Sequence, residues 1–223
     1  MSRNALMKDL STSAFFETRG YIHEKLFNGC HYPWEALSQI GEYLKNVRGN
    51  AEEYDLPLGS WIIHPETVFF EEDCIVEPGA YIQGPCYIGR GTIIRNGAYI
   101  RGNVVTGTHC VIGHTTEIKN SILLNAVHAA HFAYIGDSIL GNNVNLGAGV
   151  KLANLRLDGN QIIIESDDDK INTGLRKFGA IIGDGSQIGC NAVCNPGTLV
   201  GQKSVWHPCI NKGGIIAAGS IVK

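Results

Sequence analysis

The residues best suited to chemistry lie in one short stretch between residues 128 and 145. Among its polar side chains are His128, His131, Tyr134, Asp137, Asn143 and Asn145, which supply two imidazoles, a phenol, a carboxylate and two amides. A histidine titrates near neutral pH and can act as a general base when a carboxylate orients its ring. Amide side chains can hydrogen-bond the hydroxyls of a ligand. The stretch is therefore a candidate catalytic site.

Three charged residues upstream add to this candidate site. Arg101 can hold a phosphate through two parallel N–H bonds, and Lys119 can bind it as a point charge. Glu117 supplies the carboxylate that an imidazole base needs. Together these groups would suit the transfer of a group to a phosphorylated sugar. The same residues also fit a solvated surface with a polar turn, so both interpretations stay open at this point.

The elements that must position these residues repeat every six residues. A branched aliphatic residue, or once a threonine, recurs at Val76, Ile82, Ile88, Ile94, Ile100, Thr106, Ile112, Ile118 and Leu124. Neither the strand period of two nor the helix period of 3.6 produces this spacing. A fixed six-residue period predicts a solenoid in which each hexad is one short strand and a turn.

The six-residue period slips between Leu124 and Tyr134, which lie ten residues apart. After the slip, Tyr134, Leu140, Leu146 and Leu152 are expected to point into the solenoid. A second regular stretch begins at Ile182. Because a slip interrupts the regular wall, side chains near it are free to point elsewhere, and His131 lies there.

Two segments fall outside the repeat. Residues 1–55 predict a helical N-terminal cap before a β-helix of residues 56–223, with one helix starting at Pro33 and another across residues 15–27. We expect this cap to cover the open end of the solenoid, where strand edges are unpaired.

Residues 155–180 predict a protruding loop or hairpin, because they break the period altogether. The insert contains the apolar run Ile162–Ile164, the acidic run Asp167–Asp169 and the cations Lys170, Arg176 and Lys177. Solenoid insertions often serve binding, although an acidic run by itself fits a solvated excursion equally well.

Composition excludes several classes of function. The formal net charge is −3, only 17% of residues are charged, and no basic block suggests nucleic acid as a partner. The seven cysteines form no CxxC pair, and four of them fall on inward positions of the repeat. We therefore expect a reduced, cytoplasmic protein with no disulfide framework and no membrane partner.

Residues 75–223 resemble the left-handed β-helix acyltransferases, in particular the acetyltransferase half of the bifunctional glucosamine-1-phosphate acetyltransferase/N-acetylglucosamine-1-phosphate uridyltransferases. The most specific segment is HFAYIGDSILGNNVNLGAG (131–149), preceded by TEIK (116–119) and followed by ANLRLDG (153–159). The segment NTGLRKFGAIIGD (172–184) is similar to archaeal versions. The resemblance implies an all-β left-handed parallel β-helix and an acetyl-CoA-dependent N-acetyltransferase of an amino-sugar phosphate, with no metal.

The resemblance also implies a role for each matching residue. His131 would be the general base that takes a proton from the sugar amine, and Glu117 would orient its ring. The sugar phosphate would contact Arg101, Lys119, Tyr134, Asn145 and Asn154, with Lys177 or Arg176 as a further phosphate ligand. The residues that would line the acetyl-CoA groove are Ala148, Cys190, Ala217 and Ala218.

Departures from the family keep alternatives open. We expect the chain to lack the uridyltransferase domain with its Gly-rich nucleotide-binding loop and the family's C-terminal arm over acetyl-CoA. The acidic insert also differs from the family, so altered or weak activity is expected. One alternative is an acyltransferase for another sugar or with an acyl carrier protein as donor. Another is a structural or regulatory partner of a separate nucleotidyltransferase.

A remote alternative is a γ-type carbonic anhydrase. His109 and His114 lie five residues apart, a spacing that this fold uses for two zinc ligands. In every case a homotrimer is expected, because the flat faces of the solenoid must be buried and cyclic closure is the simplest way to bury them.

Overall fold

The computed structural model describes residues 9–166 and 169–223, so Asp167 and Asp168 of the acidic run lie outside the described residues. The described chain is a parallel β-solenoid of eight three-stranded turns, as the sequence predicts. Each turn contributes one short strand to each of three parallel sheets. The inward residues of all three sheets form one continuous apolar core.

The three sheets are named A, B and C in the order in which each turn of the chain visits them. In sheet A the strands are Trp61–Ile63, Tyr81–Gln83, Tyr99–Arg101, Glu117–Lys119, Tyr134–Gly136, Lys151–Leu152, Val193–Cys194 and Asn211–Lys212. In sheet B they are Val68–Phe70, Cys86–Ile88, Val104–Thr106, Ser121–Leu123, Ile139–Leu140, Ala180–Ile182, Thr198–Val200 and Ile215–Ile216. In sheet C they are Ile75–Val76, Ile93–Ile94, Val111–His114, His128–His131, Asn145–Leu146, Gln187–Ile188, Val205–Trp206 and Ile221–Val222.

The register between turns changes in the middle of the solenoid. Ile100 pairs with Ile118, eighteen residues later, but Ile118 pairs with Ile135, seventeen residues later. The missing residue is lost in a five-residue step from Ile118 to Leu123, the next inward position. A second five-residue step leads from Ile135 to Leu140.

The predicted position of the slip was therefore wrong. Leu124 belongs to the cluster on the outer side of sheet B, and Leu123 fills the interior instead. Ile135, and not Tyr134, points inward after the slip, so the phenol of Tyr134 is left on the outer face of sheet A. Leu140, Leu146 and Leu152 point inward as predicted.

Most of the N-terminal segment covers a flat face, and only its last residues cover the open end, which corrects the prediction in part. Its apolar residues pack on the outward residues of sheet B, among them Val105, Ile122 and Ile139. The reason is that this face carries aromatic or aliphatic residues along its whole length, so covering it buries more apolar surface than covering the end would. The end is covered by the 3-10 turn Ala51–Glu53, whose Ala51 joins the interior core.

Helical structure in this segment is shorter than predicted. The 3-10 turn Pro33–Glu35 leads into the α-helix Ala36–Leu44, close to the predicted position. A helix across residues 15–27 is absent from the described chain, which instead has the short α-helix Thr12–Phe15 and the 3-10 turn Glu24–Phe27. One further 3-10 turn spans Pro65–Thr67.

The insert is a hairpin, as expected, and it shares the face of sheet B. Its strands Ile163–Glu165 and Lys170–Asn172 pair antiparallel. Ile162, Ile164 and Phe178 are buried on sheet B, and the ring of Phe178 lies 5.9 Å from that of Trp34. Both additions to the solenoid therefore cover sheet B, and the outer faces of sheets A and C stay open in the described chain.

Neither α-helix in residues 9–166 and 169–223 is long and apolar enough to span a membrane.

Candidate active site

Sheet A aligns several of the predicted site residues on its outer face. Tyr99, Glu117, Tyr134 and Lys151 occupy the same position on four successive strands, so their side chains form a ladder. Arg101 and Lys119 follow the paired inward residues Ile100 and Ile118 and therefore point to the same face. Residues that are 16 to 18 positions apart in sequence become neighbours in this way.

Arg101 and Glu117 form an ion pair within this face. Arg101 Nη1 donates to Glu117 Oε1 at 2.6 Å, and the guanidinium carbon lies 5.7 Å from the centre of the Tyr99 ring. The hydrogen bond to Glu117 raises the pKa of Arg101. Within the described residues no hydrogen bond joins Glu117 to His131, so the predicted orienting contact remains a proposal.

Asp137 is the centre of a polar network at the corner between sheets A and B. Its carboxylate accepts hydrogen bonds from Lys119 Nζ at 2.9 and 3.1 Å, from Asn120 Nδ2 at 2.9 Å and from Asn154 Nδ2 at 2.5 Å. Asp137 is only 4% exposed. Two of the predicted ligands, Lys119 and Asn154, are thus held by one carboxylate.

Tyr134 extends the same network along sheet A. Its hydroxyl donates to Asn154 Oδ1 at 3.4 Å. Partial burial, reinforced by the charges of Glu117 and Asp137, raises the pKa of this phenol. Tyr134 therefore stays protonated at neutral pH and can act as a hydrogen-bond donor.

The base of the insert brings Lys177 to the same corner. Phe178 N donates to Asn154 O at 2.9 Å, and Leu155 and Lys177 form an isolated antiparallel bridge. Lys177 is exposed there. Arg176, the alternative phosphate ligand, donates from Nε to Gly159 O at 3.1 Å within the insert. Of the two cations, Lys177 is the one with an unengaged side chain in the described chain.

His131 lies at the other edge of sheet A, on the corner with sheet C. It is exposed, it pairs with His114 on the preceding turn, and its carbonyl accepts from Gly149 N at 3.1 Å. Ala148 and Cys190 follow on the next turns of the same corner, where Asn191 N donates to Ala148 O at 2.8 Å. Two of the predicted coenzyme residues therefore stack beneath the predicted base.

Three predicted residues lie away from this face in a single chain. Asn145 is on the outer face of sheet C, paired with His128 and Gln187. Ala217 and Ala218 lie at the corner between sheets B and C, where Ala217 O accepts from Ser204 Oγ at 3.2 Å. One chain thus does not bring the whole predicted set together.

Sequence reasoning missed Lys151 and Asn120 and gave Asp137 no specific role. Lys151 pairs with Tyr134 on sheet A and is exposed. The seventeen-residue register, if applied from Tyr134, would have placed Lys151 beside it. Asn120 adopts a left-handed backbone with φ of 43°, which asparagine tolerates, and this places its amide beside Asp137.

The described chain contains no group of three or more histidine, cysteine, aspartate or glutamate side chains that could hold a metal ion. His109 lies on a left-handed turn, and His114 Nδ1 faces Asn96 O at 3.1 Å. The buried thiols of Cys86, Cys110 and Cys194 have pKa values raised to about 12 by burial, so they act as packing groups.

Comparison with known proteins identifies relatives of this chain. The sequence model of one family, described as the GMPPB C-terminal domain, matches residues 82–173. The chain is 34% identical over 208 residues to the bifunctional protein GlmU of Methanococcus vannielii, covering 91% of this chain and 47% of that protein. It is 36% identical over 141 residues to the bifunctional sugar-1-phosphate nucleotidylyltransferase/acetyltransferase of Sulfurisphaera tokodaii, covering 63% and 35%. The chain thus spans about half or less of these relatives.

A relative of similar length is the putative uncharacterized acetyltransferase YaiX of Escherichia coli. The two are 31% identical over 173 residues, which cover 76% of this chain and 75% of that protein. Among solved structures, the UDP-N-acetylglucosamine acyltransferase from Campylobacter jejuni superposes with a TM-score of 0.53 at 16% identity. The match covers 75% of this chain and 70% of that one and supports the fold. Together with the solenoid and the motif around His131, these matches show that the chain belongs to the left-handed β-helix acyltransferases.

Proposed function

We propose that this protein is an acetyl-CoA-dependent N-acetyltransferase whose acceptor is an amino-sugar phosphate of the glucosamine-1-phosphate type. The observation that carries the proposal is the grouping of Arg101, Lys119, Tyr134 and Asn154 on one face, with His131 at its edge. Relatives named as acetyltransferases, one of them with sugar-1-phosphate nucleotidylyltransferase activity in its name, support this class of reaction.

In the proposed reaction, the sugar amine attacks the thioester carbonyl of acetyl-CoA. A C–N bond forms, the C–S bond breaks, and coenzyme A leaves as a thiolate that becomes a thiol by taking the amine proton from the His131 imidazolium. His131 takes the proton that the amine must lose, because an imidazole is a competent base near neutral pH. Since Arg101 engages only Oε1 of Glu117, the other oxygen is available to orient the imidazole.

The phosphate of the acceptor is assigned to the cations of sheet A and the insert. Arg101 and Lys119 each have a carboxylate partner, so each contributes directed N–H donors rather than a free charge. Lys177 has no carboxylate within salt-bridge distance among the described residues, and it supplies the positive charge that a phosphate dianion requires. Asn154 and Tyr134 offer hydrogen bonds to the sugar.

Asn145, Ala217 and Ala218 enter the proposed site from a second copy of the chain in a homotrimer. This arrangement is supported by the coverage of sheet B, which leaves sheets A and C available for contact between copies. Apolar residues are exposed at both ends of sheet C, including Ile75, Val205 and Ile221. Light scattering should give the mass of a trimer, and Val205→Asp should reduce it; a stable monomer of the unaltered protein contradicts the proposal.

The reaction is tested by measuring thiol release from acetyl-CoA in the presence of glucosamine-1-phosphate. Replacing His131 with alanine should lower kcat by about 10²-fold or more, the size expected for a lost general base. His31→Ala is the control, because His31 is an exposed histidine of the N-terminal segment, which packs on sheet B, and its loss should leave kcat within about twofold. Turnover by the unaltered protein that does not exceed that of His131→Ala would refute the enzyme proposal.

A further inference from the structure

We propose that Asp137 is the positioning residue of the acceptor site, where its single buried carboxylate sets the orientation of both Lys119 and Asn154. The inference rests on the proposed function, since it concerns the residues that bind the sugar phosphate there. It assigns a task to a residue that does not itself touch the acceptor.

The main chain holds Asp137 firmly at its corner. Asp137 N donates to Lys119 O at 3.0 Å, and its carbonyl accepts from Gly179 N at 2.8 Å. The residue has a left-handed backbone with φ of 47°, which aspartate accepts more readily than most residues. Asn120 and Asn154 lie seventeen residues to either side, at the same corner of the neighbouring turns. The carboxylate is therefore fixed between two other polar side chains.

Every contact of this carboxylate is with a donor. Oδ1 accepts from Lys119 at 3.1 Å and Asn120 at 2.9 Å, and Oδ2 accepts from Lys119 at 2.9 Å and Asn154 at 2.5 Å. An asparagine at this position would have nearly the same shape. However, its NH₂ group would face a donor whichever way the amide is turned. The network therefore requires a carboxylate and not merely a polar residue of this size.

The orientation of Asn154 follows from this contact. Because its NH₂ group donates to Asp137, its carbonyl Oδ1 must face the other way, and there it accepts from the hydroxyl of Tyr134 at 3.4 Å. Lys119, Asp137, Asn154 and Tyr134 thus form one chain of hydrogen bonds across three turns. A change at Asp137 disturbs three acceptor-binding side chains together.

The position of the Lys119 ammonium depends on its carboxylate partner Asp137 more than the position of the Arg101 guanidinium depends on Glu117. The side chain of Lys119 is 20% exposed and that of Asp137 is 6% exposed, against 40% and 35% for the Arg101–Glu117 pair. Water can replace Glu117 as a partner of Arg101, but it has little access to the ammonium of Lys119. Without Asp137, the ammonium must leave its place to be solvated.

The experiment compares steady-state kinetics of Asp137→Asn, Lys119→Met and the double variant, using glucosamine-1-phosphate and acetyl-CoA. We expect Asp137→Asn to raise the KM for the sugar phosphate by about tenfold or more, with the KM for acetyl-CoA within about twofold. Because Asp137 acts through Lys119, the double variant should fall well short of the product of the two single effects.

Asp184→Asn is the matched control, since Asp184 is a half-buried corner carboxylate that accepts from Asn142 N at 2.7 Å and Glu17 N at 2.8 Å. This control should lower the melting temperature but leave the KM for the sugar phosphate unchanged.

If Asp137→Asn does not fold, the inference is tested with Asn120→Gly instead. This variant removes one hydrogen-bond donor to Asp137 at a left-handed backbone position that glycine tolerates. It should raise the same KM by about threefold.

Three results would overturn the inference. The first is a KM for the sugar phosphate within twofold of normal in Asp137→Asn, or in Asn120→Gly if Asp137→Asn does not fold. The second is a double variant whose KM change equals the product of the two single changes. The third is an equal change in the KM values for the sugar phosphate and for acetyl-CoA. In each of these cases the unaltered protein still acetylates the sugar phosphate, and the proposed function stands. If the unaltered protein neither binds nor acetylates any amino-sugar phosphate, the proposed function and the inference both fail.

Discussion

The guanidinium of Arg101 and the carboxylate of Glu117 are hydrogen-bonded at 2.6 Å across two neighbouring strands of sheet A. The pair is well exposed, and exposed ion pairs contribute only about 0–1 kcal/mol to the free energy of folding. The pair therefore matters for the orientation of Arg101 more than for stability. Glu117 holds one N–H group of the guanidinium and leaves its other N–H groups available to a ligand.

This geometry predicts that Arg101→Met weakens acceptor binding without unfolding the protein. Loss of a charge-assisted hydrogen bond should raise the KM for glucosamine-1-phosphate by about 10- to 100-fold. The free energy of unfolding should change by less than about 1 kcal/mol. Arg90→Met is the control, because Arg90 forms a comparable exposed pair with Glu72 at 3.4 Å at another corner. Equal KM values for the two variants would show that Arg101 does not bind the acceptor.

The pH dependence of stability should report the burial of His23 between the N-terminal segment and the solenoid. Burial lowers the pKa of His23 to about 4, despite its contacts with Thr106 O and the charge of Glu71. Its ring also lies 2.8 Å from the hydroxyl of Tyr43. Between pH 6.5 and 4 the unfolded chain therefore binds a proton that the folded chain does not.

The stabilisation from neutral His23 is thus complete above pH 6.5 and is lost as the pH falls toward 4. The expected loss is about 3 kcal/mol in the free energy of unfolding, measured by urea titration at a series of pH values. His23→Phe should flatten this dependence, and His109→Asn, which changes an exposed histidine, should not. An unchanged slope in His23→Phe would refute the assignment.

Contact between the N-terminal segment and sheet B predicts a large difference between two isoleucines. Ile122 points outward from its strand yet is 0% exposed, because the segment covers it, whereas Ile22 is 49% exposed. Ile122→Ala should lower the free energy of unfolding by about 2–5 kcal/mol. Ile22→Ala should lower it by about 0.5 kcal/mol or less. Equal losses would mean that the segment does not cover this face in solution.

The coverage of sheet B by the N-terminal segment also explains why the fold was predicted correctly but the slip in the six-residue period was misplaced. From Val76 to Ile118 one residue in six is clearly inward, and each of these residues is buried as predicted. In the strand Ser121–Leu123 the outward Ile122 and the inward Leu123 are both buried and apolar, and so is the outward Leu124 that follows. A strand that is covered on both faces carries no periodic signal for its register. Because the prediction took the wrong leucine, it also turned Tyr134 inward.

The sequence named individual candidate residues for the site but not their arrangement. The motif supplied His131, Tyr134 and Asn154, and their spacing gave no hint that Lys119 would pair with Asp137 or Arg101 with Glu117. Lys119 and Asp137 are 18 residues apart, and Arg101 and Glu117 are 16 residues apart, so each pair meets only if the turn between its members has that length. For Lys119 and Asp137 this length depends on the five-residue step from Ile118 to Leu123, which the sequence conceals, whereas Arg101 and Glu117 meet across a regular turn of eighteen residues.

Lys177 and Lys170 both lie in the insert but differ in their surroundings. Lys177 is exposed and its backbone pairs with Leu155, next to the proposed sugar ligand Asn154, whereas Lys170 lies on the hairpin strand and pairs with Glu165 at 2.7 Å. Lys177→Met should raise the KM for glucosamine-1-phosphate by about tenfold, and Lys170→Met should leave it unchanged. The test compares the two variants with glucosamine-1-phosphate and with unphosphorylated glucosamine as acceptors. Because Lys177 is assigned to the phosphate, its replacement should leave turnover of glucosamine the same as in the unaltered protein, and an equal loss with both acceptors would contradict that assignment.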